Sequence, residues 1–365
     1  MAPTTSDSDS DSDSAAKEGR LASLRDILVS SYGVTDDGLV KALCALAEGT
    51  CQVAILLSNY VDHDDAYAGT RNSSGDDQLN LDLDCDAAVF AAVRESGAFS
   101  VAASEETPEE TDVSPAGGAN APGGSTFSLG FDPLDGSSII GANFSVGSIY
   151  GVWPGIGVLG RTGREQAAAA VALYGPRTTL LVALPAASSG NGHPAVVFEV
   201  TLVDGRARWG LSRRSVALRP EGRVFAPGNL RASNDNDRYG SLIRHWMEER
   251  YTLRYTGGMV PDVCHMFAKG GGVFSNVSSD RAKAKLRLLY EVAPLGLVVE
   301  CAGGATTHEA RDGSVLDCVI DDLDRRLGVC FGSTEEVEKY KKFMFEGGGG
   351  GISEAGGEEK KVNEP

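Results

Sequence analysis

The sequence predicts a layered α/β protein (α+β in its order of elements) of two domains, in which helix and sheet layers alternate. Three observations lead there. A chain of 365 residues, 42% of them hydrophobic, can bury more than one core. Short apolar runs recur at a strand period and others at a helix period, without the strict strand–helix alternation of a doubly wound sheet. A polar, basic stretch, "GLSRRSVALRPEG" at 210–222, interrupts this pattern and divides the chain into segments 21–214 and 215–345. Outside them, the Ser-Asp repeat within residues 1–20 and the Gly/Glu-rich segment 346–365 are too polar to offset the entropy of ordering, and disordered tails are expected.

The elements follow in order. Residues 39–60 read as a helix, with Leu39, Leu43, Leu46, Ala47 and Val53 on its apolar positions. A polar loop, "GTRNSSGDDQLNLDLD", then runs into a short alternating segment that places Asp82 at a strand end, and Phe99 and Val101 mark another strand that ends at "ASEE". Residues 107–125 form a Pro/Gly loop, after which Phe127, Leu129 and Phe131 alternate as a strand leading into "FDPLDGSSII". Further strands are expected over 148–152, 178–184, 196–202 and 273–277, and helices over 164–173 and 239–249. "KLRLL" at 285–289 alternates toward Glu291, and Pro294 opens a helix carrying Leu295, Val298, Val299 and Ala302 until Gly303-Gly304 stop it.

A formal charge of −18 argues against nucleic acid as a partner, because an acidic surface forfeits the counterion-release term that drives such binding. No apolar run reaches about 18 residues, so no membrane partner is expected. Seven cysteines without a CxxC pair fit reduced thiols. The start, "MAPTTSDSDSDSDSAAK", has neither an apolar h-region nor an arginine-rich amphipathic pattern, so the cytoplasm is expected, with the plastid as the alternative.

The carboxylates carry the chemistry. Asp82, Glu105, Glu106, Asp132, Asp135 and Glu291 each follow a strand-like stretch, so several strand ends can gather them at one sheet edge. So many carboxylates share a site in ionised form only with cations among them. With oxygen donors alone, Mg2+, or Mn2+ in its place, is preferred over zinc. Asp132 and Asp135 can serve adjacent ions from one turn and the Leu134 carbonyl can add a ligand, while the amides of Gly136, Ser137 and Ser138 can hold phosphate oxygens. The reaction indicated is phosphoryl transfer.

In combination, "SEE", "FDPLDGSS", "NFSVGSIYGVWPG", "LYGPRTT", "FAPGNLRA", "TLRYTGGMVPDV" and "KAKLRLLYEVAPLG" resemble the motifs of the sugar bisphosphatases, in that family's order and spacing over about 39–344. "GGMVPDV" and "GVFSNV" resemble the heptulose enzymes more than the fructose enzymes, which usually carry a tyrosine near the position of Asn276. The resemblance implies a two-domain sugar-phosphatase fold, with metals held near Glu105, Glu106, Asp132, Leu134, Asp135 and Glu291. It implies that Asp82 and Glu106 activate the attacking water, and that Gly136, Ser137 and Arg287 meet the reacting phosphate. It further implies that Asn229, Tyr255 and Lys285, with Arg254 from a neighbouring subunit of a homodimer or homotetramer, hold the other phosphate of a sugar bisphosphate.

Three departures stand out. "YAGTRN" replaces the cysteine-bearing loop of the plastid enzymes, the AMP-binding helix start of the fructose enzymes has no counterpart near 38–55, and Gly141 stands where an acidic residue is usual. Rival readings are a fructose-1,6-bisphosphatase or dual enzyme, a metal-binding regulatory protein without turnover, and an inositol-monophosphatase-like enzyme, which would not need Arg254, Tyr255 and Lys285.

Overall fold

The computed structural model describes residues 23–61, 67–71, 77–115, 126–189, 194–203 and 208–346. The two tails lie outside them, as does much of the loop that follows residue 61. Helix α1 (Asp37–Asn59) starts at Asp36, whose carboxylate accepts from the Gly38 and Leu39 amides. The ribbon β1 (Tyr67–Arg71) and β2 (Asp77–Leu79) follows, then helix α2 (Asn80–Ser96).

The first large sheet comprises β3 (Phe99–Ser104), β4 (Thr111–Asp112), β5 (Phe127–Asp135), β6 (Val146–Pro154), β7 (Ala168–Tyr174), β8 (Thr178–Leu184), β9 (Val196–Val203) and β10 (Arg208–Arg213), in the order β10-β9-β8-β7-β6-β5-β3-β4. Only β3 and β5 pair in parallel, so the sheet is an antiparallel meander closed at one end by a crossover. The second sheet holds β11 (Val224–Pro227), β12 (Thr252–Leu253), β13 (Val273–Asn276), β14 (Ala305–His308) and β15 (Val329–Gly332), ordered β12-β11-β13-β15-β14. Helices α3 (Asp237–Glu248), α4 (Met259–Lys269), α5 (Ala293–Cys301) and α6 (Thr334–Met344) complete the chain.

Alternation along the strands sorts these elements into five layers. Leu129, Phe131, Tyr150, Val152, Ala170 and Ala172 face α1 and α2, while Ile149, Trp153, Ala169 and Val171 face α4 and α5. Those two helices bury their other sides on Ala226, Phe274 and Phe331 of the second sheet. Phe225, Val273 and Cys330 cover α3 and α6 on its far face. The alternating layers expected from sequence are the ones formed. Helix α1 is long and apolar enough to cross a membrane, contrary to the sequence expectation, but 61% of its apolar window is buried, as in a core helix.

Three expected elements are corrected. Asp82 lies in the first turn of α2 and not at a strand end. Residues 164–173 give a short 3-10 turn, Gly163–Glu165, and then β7, whose small side chains lie between α1 and α5 in the middle of a sheet; tertiary position overrides the helix propensity of alanine. "KLRLL" is not a strand. Arg287 makes a single bridge to Arg326, and Leu288–Val292 close into a π-helical turn that continues into α5, because all five residues are buried and no face is left for alternation.

Candidate active site

Strand β5 carries the first part of the site. It ends in the turn read from the sequence, with the Leu134 amide donating to Asp132 Oδ1 at 2.9 Å and the buried Ser148 hydroxyl donating to the Pro133 carbonyl at 2.7 Å. Gly136 takes φ +87°, and a Cβ there would come within 3.2 Å of Gly258 Cα. That close approach brings the N-terminus of α4 against the turn, where Asp135 accepts from the Met259 amide at 3.2 Å and the Val260 amide at 2.6 Å. Ser137 opens the 3-10 turn Ser137–Ala142.

The second part comes from the π-turn. Gly130 of β5 has no side chain where Leu289 packs, since a Cβ would lie 2.5 Å from its Cδ1. The turn seated there folds Glu291 back, so that its carboxylate accepts from the Arg287 amide at 2.5 Å. One oxygen each of Asp132, Asp135 and Glu291 then lies within 4.8 Å of the others. Arg287, itself buried, donates to Glu105 at the end of β3 and to Asp324 at 2.9 Å.

Burial, and then the charges of Glu105, Asp135 and Glu291, push the Asp132 carboxyl well above the usual range. Burial and Glu105 do the same to Glu291. Burial pushes Asp135 up to about 6 even against its amide hydrogen bonds. Burial alone would lower Arg287, but Glu105, Glu291 and Asp324 outweigh it and keep the guanidinium protonated. A converging, all-oxygen set that resists ionisation by itself fits a hard divalent cation, whose charge would restore the ionised forms.

Around this cluster, Asp82 is buried in α2, and Asp86, one turn later, accepts from the Thr107 hydroxyl at 3.0 Å. The charge of Glu106 acts on Asp86, and Glu105, its neighbour in "SEE", accepts from Arg287. Asp86 is a candidate that sequence reading missed; the i, i+4 spacing from Asp82 shows only once the helix is recognised.

The residues expected at the distal phosphate converge separately. The Asn229 amide donates to the Val277 and Ala282 carbonyls at 2.9 and 3.0 Å, and its Oδ1 is buried without a partner. The Tyr255 hydroxyl donates to the Gly228 carbonyl at 3.0 Å, and Lys285 lines a cavity that Ala282 also borders. Arg254 is exposed and joins neither group; its guanidinium donates to its neighbour's carbonyl, that of Leu253, at 2.8 Å.

A buried carboxylate cluster between two sheets, with a cationic pocket nearby, defines the class: a metal-using enzyme of phosphoryl transfer. Residues 54–193 match the family model described as the fructose-1-6-bisphosphatase N-terminal domain, and 218–345 match its C-terminal domain. The chain belongs to this family of sugar-bisphosphate phosphatases. It is 42% identical over 325 residues to the chloroplastic sedoheptulose-1,7-bisphosphatase of Spinacia oleracea, covering 88% of this chain and 78% of that one. The class 1 fructose-1,6-bisphosphatase of Pelobacter propionicus is 35% identical, with 84% and 88% covered. Among solved structures, a Toxoplasma gondii protein provisionally assigned as a sedoheptulose-1,7 bisphosphatase superposes with a TM-score of 0.77 at 34% identity, over 88% of this chain and 98% of that one. Leishmania major fructose-1,6-bisphosphatase in holo form gives 0.75 at 26%, over the same shares.

Proposed function

We propose that the protein removes the 1-phosphate of sedoheptulose 1,7-bisphosphate, giving sedoheptulose 7-phosphate and inorganic phosphate. The observation that carries this is the convergence of Asp132, Asp135 and Glu291 in a chain so similar to sedoheptulose bisphosphatases. Asn276 supports the larger sugar, because its side chain lies against Gly228, next to Asn229, near the position where fructose enzymes usually carry a bulkier tyrosine. The second reading is a fructose-1,6-bisphosphatase or a dual enzyme, favoured by the class 1 relatives and by the identical reacting phosphate of the two sugars.

Glu105, Glu106, Asp132, Asp135, Glu291 and the Leu134 carbonyl would hold Mg2+, or Mn2+ in its place. When bound, the cation neutralises phosphate charge and lowers the pKa of water. Asp82 and Glu106 orient the attacking water and take its proton. The amides of Gly136 and Ser137 hold the oxygens of the reacting phosphate, and Arg287 adds a fixed positive charge beside it. Asn229, Tyr255 and Lys285 position the distal phosphate, and Arg254 reaches that phosphate in a neighbouring subunit of a homodimer or homotetramer.

The same reading divides the chain into a domain over 21–214 with most ligands and one over 215–345 for the sugar phosphate. We place the enzyme in a reducing compartment, the cytosol first and the plastid second, consistent with seven cysteines that form no disulfide. Phosphate release from the heptulose and the fructose bisphosphates, measured side by side with Mg2+, is the test. Faster turnover of the fructose compound would favour the second reading, and turnover of neither would reject both.

A further inference from the structure

A second concentration of charge lies apart from the carboxylates. A cavity of about 440 Å3 is lined by four cations, Arg231, Arg281, Lys283 and Lys285, together with Asn234 and Asp235. Two segments build it. Arg231 sits in the 3-10 turn Leu230–Asn234, two positions past Asn229. Arg281, Lys283 and Lys285 are exposed and alternate with Ala282, Ala284 and Leu286, which are partly or fully buried, and all three cations line the cavity. Two residues past Lys285 the chain turns inward at the buried Arg287, whose guanidinium reaches Glu105.

Arg231, Arg281 and Lys283 are not held by strong ion pairs to the described carboxylates. In a chain of formal charge −18, acidic partners are plentiful. Yet among the described residues Arg231 and Arg281 form no ion pair, and Lys283 has only a 3.9 Å contact with a fully exposed Asp280. Asp235, the one carboxylate in the cavity, accepts from the Arg281 backbone amide at 3.1 Å. The charge of Arg231 also acts on Tyr255: burial and then Asp262 raise that phenol, and Arg231 opposes them. The cavity also borders the distal-phosphate residues by geometry, because the Asn229 amide donates to the carbonyl of Ala282, which lines it.

The geometry points to Arg231, with Arg281 and Lys283, as the cations that bind the non-reacting phosphate of a sugar bisphosphate beside Lys285, within one chain. This assignment rests on the bisphosphatase reading. Arg231 is then a specificity-determining residue that separates bisphosphates from monophosphates, and it lessens the dependence on a neighbour's arginine. A guanidinium supplies a planar fork of donors to phosphate oxygens, which water replaces only in part.

The test uses the full chain. After chelation of metals, sedoheptulose 7-phosphate and fructose 6-phosphate, which carry only the terminal phosphate, are titrated calorimetrically. Arg231→Gln, and separately Arg281→Gln combined with Lys283→Gln, should each weaken binding by about tenfold, and Arg231→Lys should recover part of the loss. With Mg2+, Arg231→Gln should lower by about tenfold the ratio of kcat/KM on a bisphosphate to that on a sugar 1-phosphate, mainly through KM. Binding within about twofold of wild type in both variants, or no binding of either probe by the wild type, would overturn the assignment. A wild type that binds the probes but releases phosphate from neither bisphosphate would reject the phosphatase reading, while the titrations still decide whether Arg231 binds phosphate.

Discussion

Asp135 holds two positions at once: its oxygens accept from the first amides of α4, and one of them faces Asp132 and Glu291. Asp135→Asn keeps one acceptor and loses the charge. Turnover should therefore fall below about a tenth of wild type at saturating Mg2+ while circular dichroism shows a folded protein. A higher residual turnover would remove Asp135 from the ligand set. Asp86 allows a test that does not depend on turnover. Burial raises it, the Ser104 and Thr107 hydrogen bonds lower it and the Glu106 charge raises it further, leaving it at about 6. In the unfolded chain its pKa is about 3.9. Between those values the native state holds the extra proton, so the contribution of Asp86 to stability is full below about pH 4 and is lost as pH rises through 6. Asp86→Asn has no such loss. Its unfolding free energy relative to wild type should be more favourable at pH 8 than at pH 5 by on the order of 1 kcal/mol. An identical difference at both values in urea titrations would contradict the assignment.

Elements position these residues, and the contact between β5 and the π-turn is the tightest of the fits. Gly130→Ala would set a methyl group against the fully buried Leu289. A cost of about 1–3 kcal/mol is expected, read as a lower Tm. Because Leu289 lies two residues before Glu291, kcat should fall as well; a lower Tm with unchanged kcat would show that the turn adapts without moving the carboxylate. This turn also marks a limit of sequence reading. The strand over 178–184 was legible to the residue, and the "DPLDG" turn announced itself, because alternation and turn chemistry are local. Leu288–Val292 were misread because burial on every side erases the pattern that separates strand from helix. Ala168–Tyr174 misled for a related reason: small residues chosen for close packing look like helix formers. Asp82 was named while its helix was missed, and so Asp86 went unseen. Lys285 was named for the distal phosphate, whereas Arg281 and Lys283 before it went unread, because only the fold brings Arg231 to the same cavity.

At the scale of the whole molecule, none of the seven cysteines is in a disulfide, five of them are buried, and burial raises the thiols of Cys85, Cys264 and Cys330. The loop in which plastid relatives carry a cysteine pair corresponds to β1, Tyr67–Arg71, and to residue 72 outside the described set. Dithiothreitol should change activity little, and a reversible several-fold activation by reduced thioredoxin would contradict that. The middle layer has a different consequence. Helices α4 and α5 follow the second sheet's first strands in the sequence, yet their side chains fill one continuous core with Ile149 and Val171 of the first sheet and Phe274 and Phe331 of the second. Pulling the halves apart would strip that core on both sides, so neither half is a cooperative unit by itself. Heat should therefore melt the described body in a single calorimetric transition, with van't Hoff and calorimetric enthalpies that agree; two resolved transitions would mean that the sheets unfold independently.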